Sequence, residues 1–146
     1  MTTLRQQIIT ALEDRLKTIT VANGYATGVG VSVFIWRKHP VTASETPCLL
    51  VQDGLVSREY GVTINKVKNT LTCDILAVAS SNATTDDARK MEADLVKCLA
   101  AWDTAGGLAD RLLLTRSTPV MEQHEKMVGM VHVTVEIVYT TDRDLC

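Results

Sequence analysis

Val128-Gly129-Met130-Val131-His132-Val133-Thr134-Val135-Glu136-Ile137-Val138-Tyr139 puts Val131, Val133, Val135, Ile137 and Tyr139 on one side of an extended chain. Met130, His132, Thr134, Glu136 and Val138 fall on the other side. Side chains of a strand point alternately to its two faces, so a period-two run of β-branched residues marks an antiparallel strand with one face buried. Thr140-Thr141-Asp142-Arg143-Asp144 follows at once, with only Leu145 and Cys146 beyond it. A last core strand that runs into a short charged terminus leaves little room for an appended catalytic element. The expectation is a structural module, not an enzyme.

Upstream, the charged stretch Glu122 to Lys126 separates this strand from Leu112 to Val120, which predicts a hairpin. Before it comes an amphipathic helix with an apolar stripe of Ala88, Met91, Leu95, Cys98, Leu99 and Trp102. Thr84 or Thr85 can cap that helix, and Asp86 and Asp87 suit the positive end of its dipole. Residues 3 to 20 predict the other helix, on the spacing of Leu4, Ile8, Leu12 and Leu16 with Ile9, Ala11 and Ile19 beside them. Thr3 and Gln6 fit a capping box, Glu13 and Lys17 an i,i+4 ion pair, and Asn23-Gly24 a turn.

Between the helices, Val29, Val31, Val33 and Ile35 alternate with Gly30, Ser32, Phe34 and Trp36 as a first strand. Arg37 to Thr46 reads as an exposed loop, and Cys48 to Val51 as a short central strand closed by Asp53-Gly54. Leu55 to Ile64 and Thr70 to Ala79 read as the arms of a long hairpin, with Asn65 to Asn69 as its turn. Strands joined by short turns favour antiparallel pairing, and two amphipathic helices suffice to cover one sheet face. The reading is a single α+β domain over 1–146: a mostly antiparallel β-sheet with two helices packed on one face.

The composition fits a domain able to bury its own core, with 46% apolar and 22% charged residues and few aromatics. A net charge of −2 argues against a protein that works by neutralising nucleic-acid phosphates. The first residues, Met1-Thr2-Thr3-Leu4-Arg5-Gln6, contain no apolar signal-peptide core, so the chain is expected to be soluble and made in a cytoplasm. Cys48, Cys73, Cys98 and Cys146 include no C-x-x-C pair and predict free thiols.

Familiar catalytic patterns all break. His124-Glu125 opens like a zinc-protease motif, but Val128 stands where the second histidine is needed. Gly28-Val29-Gly30 opens like a dinucleotide fingerprint, yet Val33 replaces the third glycine and no helix follows to hold a phosphate. His39 lies in a loop, and His132 lies mid-strand beside Thr134 and Glu136, a setting more usual for a hydrogen-bonded surface histidine than for a base. No catalytic residue, metal ligand or cofactor site is assigned.

Several stretches share a layout: Leu4-Arg5-Gln6-Gln7-Ile8 opening the first helix, Val29 to Trp36 and Pro47-Cys48-Leu49-Leu50-Val51 as early strands, and Leu95, Leu99 and Trp102 leading into Gly107-Leu108-Ala109. Val138-Tyr139-Thr140-Thr141-Asp142-Arg143-Asp144 closes it. This layout resembles the tail terminator proteins of long-tailed bacteriophages, also called minor tail or tail-completion proteins. The resemblance implies a sheet flanked by helices and a homo-oligomeric ring, of six subunits in characterised relatives. Such a ring sits on the head-proximal end of the tail tube, ends polymerisation of the tube protein and receives a head-completion or neck protein. The genome would pass through without sequence-specific binding, and the protein would reside in the virion with no cofactor and no membrane.

The candidate interface residues are Trp36, Arg37 and Lys38 at the end of the first strand, and Asp53, Arg58 and Glu59 in the next charged segment. Lys66 and Lys68 are expected on the hairpin turn, and Asp142, Arg143 and Asp144 in the terminus. Aromatic and basic residues are enriched at protein interfaces, and mixed charge sets register and partner choice. Two alternatives stand beside this reading: another head–tail connector, such as a neck protein, and, more distantly, a small α+β enzyme.

Overall fold

Thr3 Oγ1 accepts the Gln6 backbone N–H at 3.1 Å and so starts helix α1, Leu4–Leu16. The Gln6 side chain turns to Thr10 Oγ1 at 3.3 Å instead of back to the cap, so the expected box is half formed. Glu13 and Lys17 pair at 3.3 Å, as their spacing predicts. The helix stops before residue 20 because Thr18 captures the Arg15 carbonyl twice, from its N–H at 3.1 Å and from its hydroxyl at 2.6 Å. A short 3₁₀ turn, Val21–Asn23, follows and ends at Gly24 with φ 89°, a conformation that glycine adopts without strain.

The computed structural model describes residues 3–25, 28, 30, 32–35, 48–63, 65–78, 85–102, 107–123 and 127–142. After α1 come β1 (Val33–Ile35), β2 (Cys48–Thr63), β3 (Lys66–Val78), α2 (Thr85–Ala100), β4 (Arg111–Gln123) and β5 (Met127–Asp142). They form one five-stranded sheet in the order β1-β2-β3-β5-β4. Three of its four pairings are antiparallel, while β1 lies parallel to β2. The fold is α+β, as the pattern of elements implied.

Three local expectations are corrected. Asp53-Gly54 does not close a strand: Cys48 to Thr63 is continuous, and the ladder with β3 absorbs the interruption as a register shift between Asp53 and Val56. A bulge of this kind bends a strand without ending it. The hairpin turn is tighter than Asn65 to Asn69, since Thr63 already faces Lys66 and Asn65 takes the left-handed conformation, φ 65°. Asparagine tolerates that region, so Lys66 and Lys68 are strand residues and not turn residues. Gly30 lies outside β1: its N–H donates to the Ile19 carbonyl at 2.9 Å, and a Cβ there would lie 2.2 Å from the Leu16 carbonyl oxygen. This glycine lets the chain pass against the end of α1. The remainder of the expected first strand at Val29, Val31 and Trp36, and the loop Arg37 to Thr46, lie outside the described residues.

Both helices share one core with one sheet face. Ile8, Leu12 and Leu16 of α1 join Met91, Leu95 and Leu99 of α2 over Leu49, Leu71, Ile75, Val133, Val135 and Ile137. Fully burying a side chain of this size contributes about 1.5–3 kcal/mol. Arg15 ties the helices together by donating from Nε and Nη2 to the Cys98 carbonyl at 3.3 and 3.1 Å, near the C-terminus of α2, where a cation suits the dipole.

Candidate interaction surface

The bulge in β2 is anchored from α1. Arg5 donates from Nε and Nη2 to Asp53 Oδ2 at 2.9 and 2.5 Å, and from Nη2 to the Gly54 carbonyl at 3.3 Å. The Asp53 side chain keeps only 13% of its exposure. Because the ladder sets Asp53 opposite Cys73, its carboxylate sits at the margin of the core. Burial, and then the nearby Asp53 charge, push the Cys73 thiol up to about 12. Cys48, Cys73 and Cys98 are all buried free thiols.

Beyond the bulge, β2, β3 and β5 continue as an arm. At its tip Lys66 Nζ donates to Asp142 Oδ1, with both side chains half exposed. Glu59 lies directly opposite Lys68 across the β2–β3 ladder, and Lys68 lies opposite Thr140 of β5. Arg58 and Glu59 are exposed, and Lys68 is partly buried. The fold therefore gathers Glu59, Lys66, Lys68 and Asp142 at one end of the sheet, with Arg58 on its other face. Trp36, Arg37, Lys38, Arg143 and Asp144 lie outside the described residues.

The arm also contains a buried polar group that sequence reading placed in a turn. Asn69 is fully buried opposite Tyr139, and its Nδ2 lies 3.3 Å from the Val67 carbonyl, 3.4 Å from the Tyr139 carbonyl and 3.0 Å from Thr141 Oγ1. Among the described residues its Oδ1 has no partner. A buried polar atom left unpaired costs stability, so the arm is held less firmly than an apolar packing would hold it.

On the open face, away from the helices, His132 Nε2 contacts Asp74 Oδ1 at 2.9 Å, and Thr134 donates its hydroxyl to the same oxygen at 3.2 Å. Alternation had placed His132 and Thr134 together. Asp74 was missed, because only the ladder register brings it opposite Thr134. Ser117 of β4, which donates to Glu92 of α2, was likewise invisible in the sequence. The His132–Asp74 pair is about half exposed, at 42% and 49%. A shallow depression runs elsewhere, along α1, lined by Gln7, Thr10, Ala11 and Asp14. Among the described residues there is no grouping of three or more metal-ligating side chains, and no helix long and apolar enough to cross a membrane. Compared with known proteins, the chain matches no family model and no curated protein.

Proposed function

We propose that this chain is a structural virion protein of the tail terminator type. It forms a ring at the head-proximal end of a phage tail tube, stops tube polymerisation and offers a docking surface to the head. The observation that supports this reading is the layout: a leading amphipathic helix, a long hairpin, a second helix and a closing hairpin with a charged end. That order is the one the resemblance drawn from Leu4–Ile8, Pro47–Val51, Leu95–Trp102 and Val138–Asp144 implies. The long charged arm suits the role, since a heterologous contact needs two different patches per subunit and mixed charge sets its register.

Electron microscopy of the purified protein, alone and mixed with tail tubes, tests the proposal. Rings capping one end of each tube are the expected result. Rings that stay off tube ends would transfer the role to a head-completion or neck connector. Absence of any ring under both conditions would leave the His132–Asp74 pair as the place to look for a different activity.

A further inference from the structure

Among the described residues, two stretches of sheet edge stand open, one on β2 and one on β4, offset along the strands. β1 reaches only Leu49–Val51 of β2, so along Ser57, Arg58 and Glu59 the outer edge of β2 carries no further strand among the described residues. On the other side β4 is the last strand among the described residues. Ser57–Glu59 and Thr115–Thr118 are exposed residue after residue, whereas β3 alternates between buried and half-buried positions. An open edge presents unpaired N–H and C=O groups that template another strand.

The direction of the strands says how two copies would meet. β2, β3, β5 and β4 alternate in direction across the sheet, so β2 and β4 run oppositely. Laying the β2 edge of one copy on the β4 edge of the next therefore extends the sheet as an antiparallel ladder. The two edges differ, which makes the contact head-to-tail. Through the ladders the β2 stretch is level with Val138–Thr140 of β5 and the β4 stretch with His132–Thr134, so each copy steps along the strand direction, the stagger that closed sheets require.

Charge then selects the register. Glu59 shares the open face with Lys68, and Arg116 lies opposite Thr134 on that same face. Arg58 points to the helix side, opposite buried Asn69, as does Ser117, which bonds Glu92 of α2. Setting Glu59 against Arg116 brings Arg58 against Ser117 and its neighbour Glu92. One register thus satisfies opposite charges on both faces of the sheet, and keeps each side chain on its proper face.

We propose that a second copy of this chain docks edge to edge here, β2 at Ser57–Glu59 on β4 at Thr115–Thr118, with Glu59 facing Arg116 and Arg58 facing Glu92. The inference deepens the ring reading and rests on it for its biological setting, while the geometry comes from the sheet itself. In the same register Ser57 faces Thr118. A Ser57→Cys, Thr118→Cys protein in a Cys146→Ser background, oxidised at high concentration, gives a ladder of disulfide-linked multimers on a non-reducing gel. Either cysteine alone gives none. Adding Glu59→Arg cuts the ladder about tenfold, and adding Arg116→Glu to that restores it, with circular dichroism unchanged throughout. No ladder from the pair, or an equal ladder when Val21→Cys replaces Ser57→Cys, overturns the proposal. Rings in micrographs without the ladder also overturn it and leave the ring standing. A ladder whose products are only open chains supports the edge contact and removes the ring.

Discussion

The central strands and the flanking strands of the sheet obey different rules. In β3 and β5 the inward residues Leu71, Cys73, Ile75, Ala77, Val131, Val133, Val135 and Ile137 are all fully buried, and the residues between Leu71 and Ala77 and between Val131 and Ile137 are half covered. In β2 past its bulge and in β4 past Leu114, alternation gives way to runs of exposed positions. A central strand has partners on both sides and helices above it, so slipping by a single residue would turn its whole apolar set toward water. A flanking strand risks less by slipping, and its residues are free to answer to something outside the subunit. The centre holds the fold, and in the edge-to-edge contact proposed above the edges hold the partner.

That contrast breaks first if truncation in the centre is harmless. Ile137→Ala and Leu95→Ala each remove a fully buried side chain and should cost about 2–5 kcal/mol in denaturant titrations. Leu113→Ala, at a flanking position 40% exposed, should cost well under half as much. Equal losses at both kinds of site would dissolve the distinction. Next comes Gly30→Ala, where the added methyl meets backbone atoms of Leu16 and Ile19 that cannot rotate away. A destabilisation of about 1–3 kcal/mol is expected from such overpacking, read from thermal melts.

Cys73 offers a pH-dependent check on the centre. Its thiol is held protonated to about pH 12 in the folded state, against an ordinary value of 9.0. The folded form therefore binds the proton more tightly than the unfolded chain does. The stability this represents is fully present below pH 9.0 and is lost as pH rises toward about 12. The slope is about 1.4 kcal/mol per pH unit within that window. Comparing wild type with Cys73→Val isolates it: the variant should lose stability less steeply from pH 9 upward. Parallel curves would mean that Cys73 is not shielded as the sheet implies.

The smallest effect on stability belongs to the arm. Lys66→Glu with Lys68→Glu breaks one exposed ion pair and sets like charges across two ladders, a loss of no more than about 1 kcal/mol. The same double reversal, or Arg143→Glu, is expected to impair assembly while circular dichroism stays native. Complementation scored by infectious particles would check it. Normal yields from both variants would remove these charges from the functional surface.

What the sequence disclosed follows the same division. Val131 to Tyr139, Leu4 to Leu16 and Met91 to Leu99 were legible because burial on one face imposes a period that few other constraints produce. Asp53-Gly54 misled because a bulge and a turn use the same residue types. Lys66 to Asn69 misled because polar residues in a strand resemble a turn until a partner strand is known. Arg5 with Asp53, and Lys66 with Asp142, are separated by 48 and 76 residues; the packing of α1 on the sheet makes the first pair neighbours and the β3–β5 ladder the second. The candidate surface was legible as charge, but its grouping at one end of the sheet was not.

The most direct test of the central claim is the length of tails assembled without this chain. In an infection where its gene is inactivated, micrographs should show tails extending past their normal length and unjoined to heads. Supplying the intact chain should return both length and joining to normal. Tails of unchanged length already attached to filled heads would contradict the claim.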